Sequence, residues 1–261
     1  MKMFDMGGQA LSLFKELDLV CHQLCLELKH EYVQAVLPKP DIDRDKLTIY
    51  YMLFRMNEPQ QAAGSYTKSV MVAEIGLNTH ETMTCEKRTN KELLKQRQLT
   101  VLSGDFYSAL YYYTLARQSN IELVKWVAQA IQNFNEYKCA LFFPPVHFGW
   151  QELIHEIKKI ESALVGKIAR QLGFKHVVPY ISDFFLIKRL IAERDLRNEE
   201  KHTGYFSKMR LDDDDQLVEK LDSEIKNRTA QLSQALKRSE DQSELFLKLK
   251  DYINLQLPLT A

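Results

Sequence analysis

Residues 97–117 read RQLTVLSGDFYSALYYYTLAR, and the reading of this stretch decides the fold. Its apolar side chains fall at Leu99, Leu102, Phe106, Ala109, Leu110 and Tyr113, in steps of three and four. That spacing is one face of an α-helix. Val101, Tyr107, Tyr111 and Leu115 cover much of the remaining circumference, and a helix apolar nearly all round is expected to be enclosed by other helices. Two residues interrupt the pattern. Gly104 costs about 1 kcal/mol against alanine inside a helix, so it is expected to admit a second backbone. Asp105 is a lone carboxylate in an apolar setting and calls for a partner.

Toward the N-terminus the helical period continues. A helix over residues 9–30 places Leu13, Leu17, Val20, Leu24 and Leu28 on one face. Pro38 and Pro40 end it, and Asp43 or Asp45 can cap a second helix through Leu47, Tyr50, Tyr51 and Phe54. After Pro59, a third helix is expected over 61–83 with Tyr66, Val70, Ala73 and Leu77, ending beside His80 and Glu81. A charged stretch from Cys85 to Lys91 separates it from the Gly104 helix.

Toward the C-terminus, Asn120 is a good cap for a helix through Leu123, Val127, Ala130, Ile131 and Phe134, stopped by Pro144 and Pro145. A helix over 150–172 ends at Gly173, a favoured residue just past a C-terminus. Another starts at Pro179 and carries Phe184, Phe185, Ile187, Leu190 and Ile191. Residues 194–210 are polar and without period, which predicts a flexible loop. Asp212 to Asp215 then open a long helix through Leu217, Leu221, Ile225, Leu232 and Leu236, and a last helix spans 241–255. These aspartates suit a helix start, where acids favour the macrodipole, better than a metal site, because consecutive helical residues point about 100° apart. No strand pattern competes. The expected fold is all-α, one domain over residues 1–261, built as a bundle of eight or nine helices.

Composition narrows the function. The chain has 35 Lys and Arg against 35 Asp and Glu, and is 45% hydrophobic. Net neutrality gives no electrostatic reason to expect nucleic acid as a partner. No run reaches the roughly 18 apolar residues of a membrane span, and no secretory pattern opens the chain, so a cytoplasmic protein is expected. Cys21 and Cys25 lie one helical turn apart beside His22. A metal there would lack its other ligands, so two buried thiols are expected instead. No metal is assigned to this chain. There is no glycine-rich phosphate loop and no HExxH pair.

One constellation remains. A helix ending in His80-Glu81-Thr82-Met83-Thr84 is followed by the basic loop Lys87-Arg88-Thr89 and then by Val101-Leu102-Ser103-Gly104-Asp105-Phe106. This order resembles the trans-prenyl diphosphate synthases, whose third helix ends in HDDxxD, followed by an RRG-type loop and a VLxGDxLL helix. The stretch KIESALVGKIARQLG, residues 159–173, is similar to the family's KTAxL helix, and Asp183 to Glu193 lies where the family has the helix leading into its second DDxxD. The resemblance implies an isoprenoid-synthase bundle. The departures fall on the acids. Converging carboxylates one turn apart would be needed to hold Mg²⁺ on a diphosphate. Here Glu81 stands alone at the first place, and Lys188 and Arg189 precede a loose Glu193 and Asp195 at the second.

A kept scaffold with lost acids resembles the small, non-catalytic subunits of two-component, heptaprenyl-type synthases. That implies a heterodimer with a DDxxD-bearing catalytic subunit, which would hold the Mg²⁺, and a part in setting product length for menaquinone side chains. This chain would itself bind no cofactor and have no catalytic residue. The growing prenyl chain would run at the shared interface. Leu102, Phe106, Leu110 and Tyr113 are candidates for its wall, with Tyr107, Tyr111 and Leu115 as the alternative face. His80, Glu81 and Asp105 would be motif remnants. Two other classes stay open: an isoprenoid synthase active alone through Glu81, Glu193 and Asp195, and a helical interaction module unrelated to lipids.

Overall fold

The computed structural model describes residues 6–81, 91–143, 149–199, 204–208 and 214–257. Within them the chain is helical and has no strand. The elements are α1 (Met6–Glu27), α2 (Glu31–Gln34), α3 (Arg44–Arg55), α4 (Gln60–Glu81), α5 (Lys91–Arg117), α6 (Ile121–Phe142), α7 (Trp150–Glu161), α8 (Ala163–Gln171), α9 (Val178–Asn198), α10 (Asp214–Arg238) and α11 (Glu244–Gln256). The all-α expectation holds, with eleven helices among the described residues rather than eight or nine. One addition is the single turn α2, capped by the His30 ring. The other is a break at Ser162, which splits the expected 150–172 helix. The Ser162 hydroxyl donates to the Lys158 carbonyl at 2.7 Å, a back-bond that disturbs the helical ladder. Asp43, Asn120 and Gly173 act as the sequence suggests. Asp43 accepts the Lys46 N–H at 2.9 Å, Asn120 accepts that of Leu123 at 3.0 Å, and Gly173 takes φ +89 after α8.

The chain falls into two compact units, residues 1–128 and 129–261. In the first, α4 is the helix that others enclose. It packs chiefly on α5, then on α3 and α1, and residues 69–76 are buried without a gap. A salt bridge sits inside: Lys46 Nζ lies 2.8 Å from Glu74, and the Tyr50 hydroxyl donates to the other Glu74 oxygen at 2.6 Å. The first unit thus corrects the expectation for 97–117. α5 buries Ser103, Gly104, Tyr107 and Leu115, and its opposite side faces outward.

In the second unit α9 holds the enclosed position, against α10, α7 and α8. Phe184, Phe185, Leu186, Ile187 and Leu190 are buried, with Phe184 edge-on to Tyr252 of α11. The helix runs on to Asn198, so the first residues of the predicted loop are helical. A 3₁₀ turn covers Tyr205–Lys208. Residues 82–90, 144–148 and 212–213, with Thr82, Cys85, the 87–89 loop, Pro144, Pro145 and two of the four aspartates, lie outside the described residues. The α1 cysteines depart from expectation. Leu24 is buried, which turns its neighbour Cys25 outward, while Cys21 is half-buried.

Candidate functional site

The fold leaves the outward side of α5 open, and α1 also exposes Phe14, Leu19 and Leu26. Val101 is 37% exposed, Leu102 61%, Phe106 40%, Tyr112 57% and Tyr113 56%. Large apolar side chains in one contiguous strip are uncommon on a protein that works alone and mark a contact surface. The strip exists because the sequence made α5 apolar on two sides while α4 covers one. Tyr107 and Leu115, from the alternative wall, are buried, and the Cβ of Tyr107 lies beside Gly76 of α4. Burial raises the Tyr107 and Tyr111 hydroxyls above the ordinary tyrosine value. Leu110 and Tyr111 are half-buried. Of the primary candidates, Leu102, Phe106 and Tyr113 therefore share the open face.

The strip is tied down at both ends. Phe106 meets the His30 ring edge-on at 5.8 Å, and Lys95 lies 5.5 Å from the Tyr32 ring centre. At the far end Arg117 sits 5.5 Å from the ring centre of Tyr113 and donates to its hydroxyl at 3.3 Å. In the middle is Asp105. Its carboxylate is 64% exposed and lies 3.5 Å from His80 Nε2. The expected partner is thus His80, and the surroundings are solvent framed by apolar side chains rather than a core. Gly104 works differently from expectation. A Cβ there would fall 2.5 Å from His80 Nε2 and Cε1, so the missing side chain admits an imidazole. The backbone approach occurs one step away, where a Cβ on Gly76 would lie 3.4 Å from the Gly104 carbonyl oxygen.

At the first acidic place, His80 and Glu81 close α4, with Glu81 exposed. At the second, a guanidinium stands where acids would hold a metal. Arg189 Nε lies 3.1 Å from Glu193 and 3.6 Å from Glu161, and its guanidinium covers the Tyr205 ring at 4.2 Å. Lys138 Nζ lies 4.0 Å from the same ring centre, and the Tyr205 hydroxyl donates to Glu161 at 3.0 Å. Glu193 is 1% exposed and accepts the Tyr205 N–H at 2.9 Å. Burial raises its carboxyl above the ordinary value, against the opposing pull of Arg189 and the backbone N–H groups of the turn. Far from loose, Glu193 is the anchor of the turn. Asp195 pairs with Arg194 at 2.8 Å. Glu81 belongs to the first unit and Glu193 and Asp195 to the second, and among the described residues no group of three or more His, Cys, Asp or Glu is arranged to hold a metal ion. At the second place, acids already paired with arginines, Glu193 with Arg189 and Asp195 with Arg194, do not fit a magnesium–diphosphate site. The Arg189–Glu193 spacing of four was legible as a helical ion pair, but nothing in the sequence pointed to Tyr205 or Lys138. No helix is long and apolar enough to cross a membrane among the described residues.

Comparison with known proteins gives this geometry a family. A family profile described as heptaprenyl diphosphate synthase (HEPPP synthase) subunit 1 matches residues 30–242. Component 1 of heptaprenyl diphosphate synthase from Geobacillus stearothermophilus is 33% identical over 127 residues, which is 49% of this chain and 56% of that protein. The match thus spans little more than half of that relative's length. Among solved structures, a decaprenyl diphosphate synthase from Rhodobacter capsulatus superposes with a TM-score of 0.61 at 13% identity, covering 94% of this chain and 96% of that one. A geranylgeranyl pyrophosphate synthase from Lactobacillus brevis gives 0.62 at 12% identity, covering 97% and 98%. At such identities the likeness establishes the fold, an isoprenoid-synthase bundle.

Proposed function

The chain belongs to the heptaprenyl diphosphate synthase subunit 1 family, and from that premise we propose that it is the non-catalytic half of a two-component long-chain polyprenyl diphosphate synthase. It pairs through α5 with a separate subunit that carries the DDxxD acids and the Mg²⁺. The observation that carries this reading is the open strip of Val101, Leu102, Phe106, Tyr112 and Tyr113 along one side of α5. Two further facts support it. Arg189 and Arg194 pair with Glu193 and Asp195, the acids that remain at the second place, and the solved structures that share the fold are a decaprenyl diphosphate synthase and a geranylgeranyl pyrophosphate synthase.

On this reading the chain forms and breaks no bond. Its work is geometric. A product that grows by five-carbon units needs an apolar channel, and the channel's length fixes where growth stalls. Leu102, Phe106 and Tyr113 offer bulk at the subunit boundary, where a large ring blocks and a small side chain lets the product lengthen. Heptaprenyl diphosphate as the product agrees with the family's name, and the proposal extends to its use as a menaquinone side chain in the cytoplasm.

The test is co-purification with a DDxxD-bearing subunit, followed by product analysis with each chain omitted in turn. Long-chain product is expected only from the pair. Phe106→Ala or Tyr113→Ala should lengthen or broaden the product distribution, and unchanged product in both would remove these residues from the wall. Glu81→Ala should leave turnover of the pair nearly intact. Turnover by the purified chain alone with Mg²⁺ would overturn the reading.

A further inference from the structure

The open strip of α5 carries charge in a set order. Lys91, Glu92, Lys95 and Arg97 give its start a net positive charge, Asp105 stands in its middle and Arg117 at its end. From Lys95 to Asp105 is ten residues, about 15 Å along a helix, and from Asp105 to Arg117 about 18 Å. The two ends are partly engaged on tyrosine rings, Lys95 on Tyr32 and Arg117 on Tyr113. The middle is not. Asp105 is 64% exposed, and its distance of 3.5 Å to His80 Nε2 exceeds a normal hydrogen bond. One turn away on either side are the exposed Val101, Leu102 and Ala109, with Phe106 adjacent. Any partner that covers those side chains also strips water from the carboxylate, and a buried unpaired charge is strongly disfavoured.

We propose that Asp105 selects the partner: the catalytic subunit presents an arginine or lysine side chain to it, and two copies of this chain are kept from pairing through the same strip. This rests on the subunit reading above. The argument against self-pairing is symmetry. α5 spans Lys91–Arg117, so Gly104 is its midpoint and Asp105 stands next to it. Two copies crossing antiparallel in full overlap would set Asp105 beside Asp105. Parallel overlap also matches like with like. A two-fold interface repeats every clash on both sides. A non-identical helix bearing acid, base and acid in that order meets no such conflict. The apolar side chains supply the attraction, and the charge order chooses the occupant.

The experiment measures two equilibria for the full chain: binding to the catalytic subunit at low and high salt, and self-association by sedimentation. Asp105→Lys should weaken heterodimer binding about thirty-fold or more. Asp105→Asn should weaken it about tenfold and flatten its salt dependence, a change that a merely structural residue would not produce. Asp105→Leu should raise self-association of the isolated chain. His80→Ala, which leaves the carboxylate in place, should bind within about threefold of wild type, since Asp105 and not its neighbour is the selector. Melting curves of each variant alone identify any that fail to fold, and Asp105→Asn keeps the shape of the side chain. Wild-type affinity and an unchanged salt slope in both Asp105→Lys and Asp105→Asn would overturn the proposal. A wild-type chain that does not bind the catalytic subunit at all would instead overturn the subunit reading itself.

Discussion

α5 and α9 look alike as text and opposite as structure. Both carry aromatic and aliphatic residues on more than one side. α9 is closed in by α10, α7 and α8, and Phe184, Leu186, Ile187 and Leu190 are fully buried. α5 has α4 as its principal cover and leaves Leu102, Phe106, Tyr112 and Tyr113 to solvent. Their ionic partners differ in the same way. The Arg189–Glu193 pair is shut under Tyr205, whereas His80 and Asp105 face each other across 3.5 Å in the open. One apolar helix completes a core, and the other keeps an apolar side open to solvent.

The largest expected effect breaks that comparison most directly. Phe184→Ala removes a fully buried ring from α9 and should cost about 3–5 kcal/mol. Phe106→Ala removes the same ring from the open side of α5, where it keeps edge contacts with His30 and Tyr107, and should cost the isolated chain only about 1 kcal/mol. Denaturant midpoints of the two variants check both numbers. In the heterodimer the order should reverse for binding, with Phe106→Ala weakening the pair by about 2 kcal/mol, as for a central aromatic anchor. Equal stability losses in the two isolated variants would mean that α5 is a core helix after all.

Next in size is the ionic contrast. Arg189→Ala leaves Glu161 and Glu193 without their guanidinium. Because Glu193 is buried, the loss should be about 3 kcal/mol, read as a lower melting temperature, and the turn at 205–208 should become sensitive to protease. Lys46→Ala, which strands the buried Glu74 carboxylate, should behave alike.

A smaller, pH-dependent effect isolates Glu193. Its carboxyl is raised above the ordinary 4.5, chiefly by burial. The folded state therefore holds the proton more tightly than the unfolded state does. That linkage favours the fold below 4.5 and is lost as pH rises through the raised value. Glu193→Gln lacks the titration. The stability of wild type minus that of Glu193→Gln should be greatest near pH 4 and should shrink toward pH 7. Urea unfolding of both at each pH gives the difference, in which the shared carboxylates cancel. A difference that grows with pH would show that Arg189 outweighs burial.

How much was legible follows from what each force needs to be seen. Helix positions were readable because period and caps are local: Asp43, Asn120 and Gly173 act where the sequence put them. The break at Ser162 was not, because a serine back-bond and a mid-helix serine look the same in a string of letters. The choice of enclosed helix failed for a different reason. α4 mixes Gly64, Thr67, Ser69 and Glu74 into its buried side, so its polarity hid its position, while the aromatic α5 suggested the centre. Small residues and a satisfied Glu74 let three helices crowd α4. At the site, the open strip contains residues that the sequence had singled out, since bulky side chains on the Gly104 helix were visible. The seal over Glu193 was not, since Tyr205 and Lys138 reach it from sequence positions that share no pattern with α9.

The smallest expected effect tests whether the two sides of α5 are independent. Gly104→Ala places a Cβ 2.5 Å from the His80 ring, while Gly76→Ala meets the Gly104 carbonyl oxygen and the Tyr107 Cβ, both at 3.4 Å. The two look alike in sequence but should differ in cost. His80 is near the end of α4 with its side chain 39% exposed, so the ring can swing outward. The roughly 1 kcal/mol gained from alanine in a helix then offsets the lost contact, and the melting temperature of the isolated chain should barely move. At Gly76 the neighbours are the Ser108 hydroxyl at 3.3 Å and two fixed parts of α5, the Gly104 carbonyl oxygen and the Tyr107 Cβ at 3.4 Å, which have only a few tenths of an ångström to give, so that variant should be slightly the less stable of the two. If Gly104→Ala is as harmful as Gly76→Ala, the His80 side is as rigid as the packed side. The strip would then be held in shape by α4 before any partner arrives, and binding should carry little ordering cost.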